Sequence, residues 1–374
     1  MTSGCSCSAE AGTGLSRGQW QTWPVETRQL ESTPGFVIYD LPGAQHYVGE
    51  TRLGSRLIPG NATMLVRHLT YVFATLEQQR SGASVGLKSD PSDSDAAVAA
   101  LASELVDDFT TGRLSTSPGL RLDADVLAPV LAHDQRNLIG NDDRDGISFN
   151  SELIGVGAAA AASSLVGGLD GKRIAIEGFG PAGLGIAREA AAAGAAVVRV
   201  ATAKGCTGDQ IDGGMLDPVA LTEAWLADGE MCVATLSGDS APAKPWAVWK
   251  DDVDVLFCGS KPGAMSGDGA AMAGATPVVA FSPAAVSSKA LAVLRAVGTA
   301  VAADFVTAVG PALGWWADPV LTHDDLRSAT SDTVNALMSE TAGHDDGPFM
   351  AACYRAEAFL RTWQDELPFG RPLG

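Results

Sequence analysis

The sequence is poor in cysteine, in basic residues and in long apolar runs, and each shortage excludes a class of protein. Six cysteines in 374 residues are too few for the dense disulfide framework of small secreted domains. Cys206, Cys232, Cys258 and Cys353 lack metal-ligand spacing and read as reduced thiols. Cys5 and Cys7 stand in a Gly/Ser-rich leader with no histidine beside them. A metal is conceivable there in principle, but the composition is that of a mobile terminus, and no metal site is expected. Lys and Arg number 25 against 44 Asp and Glu, which gives a formal charge of -19. No basic footprint exists for nucleic acid or for anionic lipid. The longest apolar stretch, Ile154 to Leu169, is broken by Gly and Ser and falls short of a membrane span. The first residues carry no basic segment followed by an apolar core. A cytoplasmic protein that binds neither nucleic acid nor membrane is the expectation.

What is present is material for two cores. A chain of 374 residues exceeds the usual single core, so two domains are expected. Residues 1–33 are polar and read as a leader. Gly35 to Asp40 reads as a strand, Pro42-Gly43 as a turn and His46 to Leu57 as a second extended segment, together an antiparallel pair. Met64 to Gln78 has helical spacing. Ser89 to Asp95 is a polar loop whose last side chains can cap a helix from Ala96 to Phe109. The loop Asp142 to Asp145 has similar composition, and its carboxylates read as solvated.

Beyond Ile154 the pattern changes to a small-residue helix, a strand at Arg173 to Glu177, a glycine turn, a helix at Leu184 to Ala193 and a strand at Ala196 to Ala201. That is a βαβ unit. Short apolar runs at Met231 to Thr235, Val253 to Cys258, Pro277 to Phe281 and Thr299 to Ala303 extend it into a mostly parallel sheet. Asp324 to Glu366 is helical in pattern and is expected to pack back on both domains. No internal repeat is visible.

The turn Gly178-Phe179-Gly180-Pro181-Ala182-Gly183 follows an apolar strand and opens an Ala-rich helix, the context in which G-x-G-x-x-G has physical meaning. Gly178 permits the tight turn, Gly180 lets a pyrophosphate approach, and Gly183 lets the helix sit close to the strand. The helix N-terminus adds free N–H groups and a positive dipole end. An NAD site normally has an acidic residue about 20 residues further on, to hold the ribose hydroxyls. Here that place reads Ala201-Thr202-Ala203-Lys204. With no carboxylate there and Lys204 nearby, NADP is at least as plausible as NAD, although Lys204 also fits an ordinary solvated lysine.

The order of motifs resembles the glutamate/leucine/phenylalanine/valine dehydrogenase family. The resemblance runs from about residue 35 to 320. It rests on Gly49-Glu-Thr-Arg52, Ser81-Gly-Ala-Ser-Val-Gly-Leu-Lys-Ser-Asp-Pro91, Asp123-Ala-Asp-Val126, the stretch Leu169 to Gly183, Ala203-Lys-Gly205, Asp252-Val-Asp-Val255 and Ala303-Asp-Phe305. It implies an α/β protein with an N-terminal substrate and dimerisation domain (34–150), a Rossmann doubly wound parallel-sheet domain (151–320) and a C-terminal helical segment (321–374). It also implies self-association, with the strands between Gly35 and Leu57 available for pairing between subunits unless the leader covers that edge.

The same resemblance locates losses. One family lysine holds the substrate carboxylate and another, in a glycine-rich segment, activates water; their positions fall at Val72 and Ser84, which carry no charge. Lys88 lies four residues beyond Ser84, roughly 13 Å along a strand, too far to replace it. The family's catalytic aspartate matches Asp125. Two asparagines that orient the nicotinamide fall at Pro283 and Ala308, neither of which has an amide side chain.

Three functional readings follow. The first is an NAD(P)-dependent oxidoreductase acting on a modified amino, imino or keto compound, with Ser84 and Asp125 as catalytic candidates and Thr51 and Arg52 beside them. Gly178 to Gly183, Thr202 and Lys204 would bind the cofactor. The second is a non-catalytic homologue kept for binding or assembly. The third, a lyase or isomerase, ranks last, because His46, His68, His133, His323 and His344 are scattered and read as surface or satisfied residues.

Overall fold

The N-terminal sheet is mixed in direction. In the computed structural model, which describes residues 25–207, 215–238, 240–367 and 370–374, five strands build it. They are β1 (Glu26–Gln29), β2 (Gly35–Tyr39), β3 (Tyr47–Leu53), β4 (Ser81–Leu87) and β5 (Leu114–Pro118), in the order β1-β2-β4-β3-β5. Cys5 and Cys7 lie outside the described residues. The expected antiparallel pair of β2 with β3 does not form: β4 lies between them, antiparallel to β2 and parallel to β3. Parallel neighbours need a crossover rather than a hairpin, and the helix Thr63–Thr75 supplies it. That helix presses on β4 so closely that a Cβ at Gly82 would stand 1.9 Å from the Val66 carbonyl oxygen. Thr70 Oγ1 accepts the Gly82 N–H at 2.9 Å in the same contact.

The segment read as a leader is partly structured. Glu26–Gln29 pairs antiparallel with β2 and covers that edge, with Arg28 bonded to Asp108 at 3.1 Å. The expected helix from Ala96 to Phe109 is two, Ser94–Glu104 and Val106–Thr110, meeting at Leu105. No side chain caps the first; a short 3-10 turn, Pro91–Asp93, leads into it instead.

The second sheet is made of β6 (Arg173–Glu177), β7 (Ala196–Thr202), β8 (Gly205–Cys206), β9 (Val255–Cys258), β10 (Val278–Ala280) and β11 (Val301–Ala302). Its order is β11-β10-β9-β6-β7-β8, parallel throughout except for β8. The chain enters at β6, moves outward to β7, then crosses back to β9 on the other side. Such a reversal opens a crevice at the carboxyl ends of the central strands. Met231 to Thr235 is not a strand. It forms the end of a 3-10 turn, Gly229–Met231, and the helix Cys232–Leu236, with Cys232 and Val233 buried. A four-residue apolar run, Met231 to Ala234, has no periodicity that separates the two states.

The apolar stretch near Ile154 is the core helix Phe149–Val166, whose Ala158, Ala161 and Ala162 are fully buried. Small residues let neighbours approach, and a Cβ at Gly155 would meet the Gly185 backbone at 2.4 Å. The C-terminal helices His323–Thr341 and Pro348–Leu360 do pack back on both halves. Arg327 reaches Glu189 at 2.9 Å on the Rossmann side, and Tyr71 in the first domain donates to Glu357 at 3.2 Å.

Candidate active site

A cleft of about 1460 Å³ runs between the two sheets, floored by the carboxyl ends of β6, β7 and β9 on one side and by β3 and β4 on the other. Five residues of the glycine turn, Gly178 to Ala182, line it. The three glycines are there for different reasons. Gly178 has φ +89°, and a Cβ there would meet the Ser260 nitrogen at 2.4 Å. At Gly183 a Cβ would stand 2.9 Å from the Gly178 oxygen, so the helix Pro181–Ala192 packs tightly on the turn. Gly180 differs: its backbone is extended, and a Cβ would find nothing nearer than the Trp225 ring at 3.8 Å. Neither the fold nor the packing requires glycine at 180. A Cβ would instead project into the cleft beside the first-turn N–H groups of Ala182 and Gly183, which have no intrahelical acceptor. That space fits a pyrophosphate. Pro181 at the first helical position contributes no donor but presets the helical φ.

Glu177, the last residue of β6, joins two strand ends at the crevice. Its carboxylate accepts the N–H groups of Gly259 at 3.2 Å and Ser260 at 3.1 Å, and the Ser260 hydroxyl. The ends of β6 and β9 are thereby tied together by charge-assisted bonds. Beside them, burial and the Glu177 charge push the Cys258 thiol well up, so it is an inert core thiol.

At the end of β7 the Thr202 hydroxyl is already engaged. It donates to the Glu230 carbonyl oxygen at 2.7 Å and accepts the Lys204 N–H at 3.1 Å. Thr202 lines the cleft, as does Glu230, whereas Lys204 is exposed and lies off it. Trp225, which meets Phe179 edge to face at 6.1 Å, stands over the glycine turn.

In the opposite wall the register sets Glu50 of β3 against Ser84 of β4. Both line the cleft with Val72 and Asp125. Ser84 is buried and accepts from Arg52 Nε at 3.1 Å. Arg52 sits behind Ser84, off the cleft. Thr51 does not line the cleft either: it points to the other face of the sheet and bonds Thr116 at 2.8 Å. A one-residue step reverses the face along a strand. Asp125 is exposed in the first turn of the helix Ala124–Leu131, which Asp123 caps through the Val126 N–H at 2.9 Å. Lys88 lies beyond the end of β4, its ammonium over the Phe36 ring at 5.7 Å. Glu50 keeps solvent-accessible surface inside the cleft, yet protein crowds it enough that desolvation raises its carboxyl, against the opposing pull of Arg52 and His68.

The feature that sequence reasoning missed is His68. Of the two readings open to it, surface or satisfied, it takes the second: it is 4% exposed at the cleft, with Nδ1 2.6 Å from Asp304 Oδ2. The same Asp304 oxygen accepts the Ala284 N–H at 2.8 Å. A carboxylate only accepts, so the proton of this bond sits on Nδ1 and Nε2 is the nitrogen left for a ligand. The partners are 236 residues apart in sequence, and no local signal joins them. Among the described residues, Lys261 is the only lysine or arginine lining the cleft, and no cluster suited to a metal is present.

Solved structures share this arrangement. The hetero-hexameric glutamate dehydrogenase from Thermus thermophilus, in its leucine-bound form, superposes with a TM-score of 0.73 at 21% identity, over 91% of this chain and 90% of that one. A second glutamate dehydrogenase gives 0.72 at 14% identity, over 89% and 82%. The L-tryptophan dehydrogenase from Nostoc punctiforme gives 0.59 at 16%, over 91% and 96%. The fold is that of the amino-acid dehydrogenases. No family model and no curated sequence matches the chain, and identities this low establish the fold alone.

Within the amino-acid dehydrogenase fold, the positions singled out by the sequence resemblance come together. Val72, Ser84, Asp125, Pro283 and Ala308 all line the one cleft, although they span more than half the chain. Pro283 adjoins Ala284, whose N–H is held by Asp304, so the His68–Asp304 pair sits at that same end of the crevice.

Proposed function

We propose that this chain is an NAD(P)-dependent oxidoreductase acting on an amine, imine or carbonyl compound that has no α-carboxylate, with His68 exchanging the proton. The observation that carries the reading is the buried His68–Asp304 pair at the cleft. The open space at Gly180 fits a dinucleotide phosphate. When bound, the nicotinamide supplies or accepts the hydride. Asp304 fixes the ring of His68 and stabilises it when protonated, so Nε2 can give a proton to a nitrogen or oxygen being reduced, or take one in the reverse direction. Positioning and a prepared electrostatic pocket do the rest.

The absence of an α-carboxylate follows from charge. The substrate wall offers Glu50, Asp123 and Asp125, with no lysine or arginine among the described residues. An amino-acid carboxylate would meet repulsion there, while an amine or iminium would be attracted to Glu50. Leu65, Leu69, Val72 and Leu120 supply an apolar wall for the rest of the molecule. The hexamer named for the Thermus enzyme supports extending self-association to this chain, with small-molecule substrates as the other partners.

The test is titration of the purified protein with NADH and NADPH by nicotinamide fluorescence, followed by turnover assays with amines, imines and ketones beside amino and keto acids. Binding of at least one nucleotide and turnover restricted to compounds without a carboxylate are expected. No binding of either nucleotide at millimolar concentration would overturn the reading. Binding without any turnover would favour a non-catalytic binding protein, a reading supported by the uncharged Val72 and Ser84 where the family resemblance implies lysines.

A further inference from the structure

The carboxylate missing from the end of the second Rossmann strand is supplied from elsewhere in the chain. Residues 201 to 204, where a dinucleotide site usually carries Asp or Glu, hold none. Folding brings Glu230 to that place: the Thr202 side chain grips its carbonyl oxygen at 2.7 Å, and Glu230 itself lines the cleft. We infer that Glu230 is the ribose-recognising acid of this site and makes it specific for NAD over NADP. The inference rests on the dinucleotide reading above.

Three observations carry it. First, the tether is built. Thr202 is 6% exposed and spends its hydroxyl on Glu230 and on the Lys204 N–H, so it has no donor to spare for a 2′-phosphate. The Gly229–Met231 turn is held against the end of β7 as a result. Second, the cations are elsewhere. Lys204 is exposed and off the cleft. Lys261 follows β9, on the far side of β6 from β7, about two strand spacings or roughly 9 to 10 Å away. Third, the chemistry discriminates. An ionised carboxylate accepts hydrogen bonds from both ribose hydroxyls and repels a phosphate on either of them. The sequence alone points to NADP as at least equal because the turn that brings Glu230 there lies 28 residues beyond Thr202.

The experiment is a pair of binding titrations, NADH and NADPH, followed by fluorescence or calorimetry on wild type, E230Q, E230K and K204A. Wild type should hold NADH more tightly by about tenfold or more. E230Q should narrow the gap and E230K should reverse it, while K204A leaves it unchanged. Thermal melts of the variants, which alter an exposed side chain, should match wild type and so separate specificity from folding. Equal affinities, or a preference for NADPH that disappears in K204A, would overturn the assignment of Glu230 while leaving the oxidoreductase reading intact. An NADH preference unaltered in E230Q and E230K would likewise overturn it. Failure of either nucleotide to bind would instead remove the reading beneath it.

Discussion

His68 in the first domain and Asp304 in the second share a 2.6 Å hydrogen bond across the cleft. Replacing His68 by Asn keeps a polar side chain but removes the exchangeable ring proton. Turnover in H68N should fall by about 10² to 10⁴, while the NADH dissociation constant changes little. Steady-state kinetics beside a fluorescence titration check this. Unchanged kcat would remove His68 from the chemistry.

Gly178 and Gly180 should separate folding from binding. Alanine at 178 must adopt φ +89° and clash with Ser260. It should cost at least about 1 to 3 kcal/mol of stability. Alanine at 180 has an extended backbone and open space, so its melting temperature should stay near wild type while nucleotide affinity drops. If G180A binds NADH normally, the phosphate is not seated on this turn.

Glu50 predicts a pH dependence of stability. Desolvation by the protein crowded around it raises its carboxyl above the usual value although it keeps accessible surface in the cleft, so the folded state favours the protonated form. The contribution is fully present below the unfolded-state pKa and is lost as pH rises through the higher folded value. E50Q does not titrate. Its melting temperature should therefore exceed that of wild type near neutrality, with the gap closing in acid. A gap that widens toward low pH would contradict the assignment.

Arg67 and Asp40 form a buried ion pair at 2.8 Å, and Arg67 also holds the Gly370 carbonyl of the C-terminal tail. R67M leaves the Asp40 carboxylate buried without its partner. Chemical denaturation should show a loss of about 3 to 5 kcal/mol. The double variant D40L/R67M should recover much of it, since no charge is then stranded.

Much of the fold was legible because its signals are local. The strands β2, β6, β7, β9 and β10 and the helix after Gly180 follow from short apolar runs and their punctuation. Local signals also misled. The extended segments at Gly35 and His46 read as a hairpin because nothing in them records that β4, nearly thirty residues on, inserts between them. Residues 231 to 235 read as a strand because so short an apolar run has no resolvable period. Ser84, Val72, Asp125 and the glycine turn were identifiable from motif order, and they do line one cleft. Thr51 was placed on the wrong face, since a one-residue difference along β3 decides it.

The sequence by itself determined the strand–turn–helix at Gly178 to Gly183, because those requirements, a positive φ and a close helix, act within a dozen residues. It also placed uncharged Val72 and Ser84 at the positions where the family resemblance implies two lysines. Only the tertiary structure decided which distant residues share the cleft with them. The partnership of His68 with Asp304 and the arrival of Glu230 beside Thr202 depend on strand order and on the two domains facing each other across the crevice. Groups separated by 236 and 28 residues, a side-chain pair in the first case and a hydroxyl with a main-chain carbonyl in the second, meet through topology, and no periodicity, spacing or composition records that meeting.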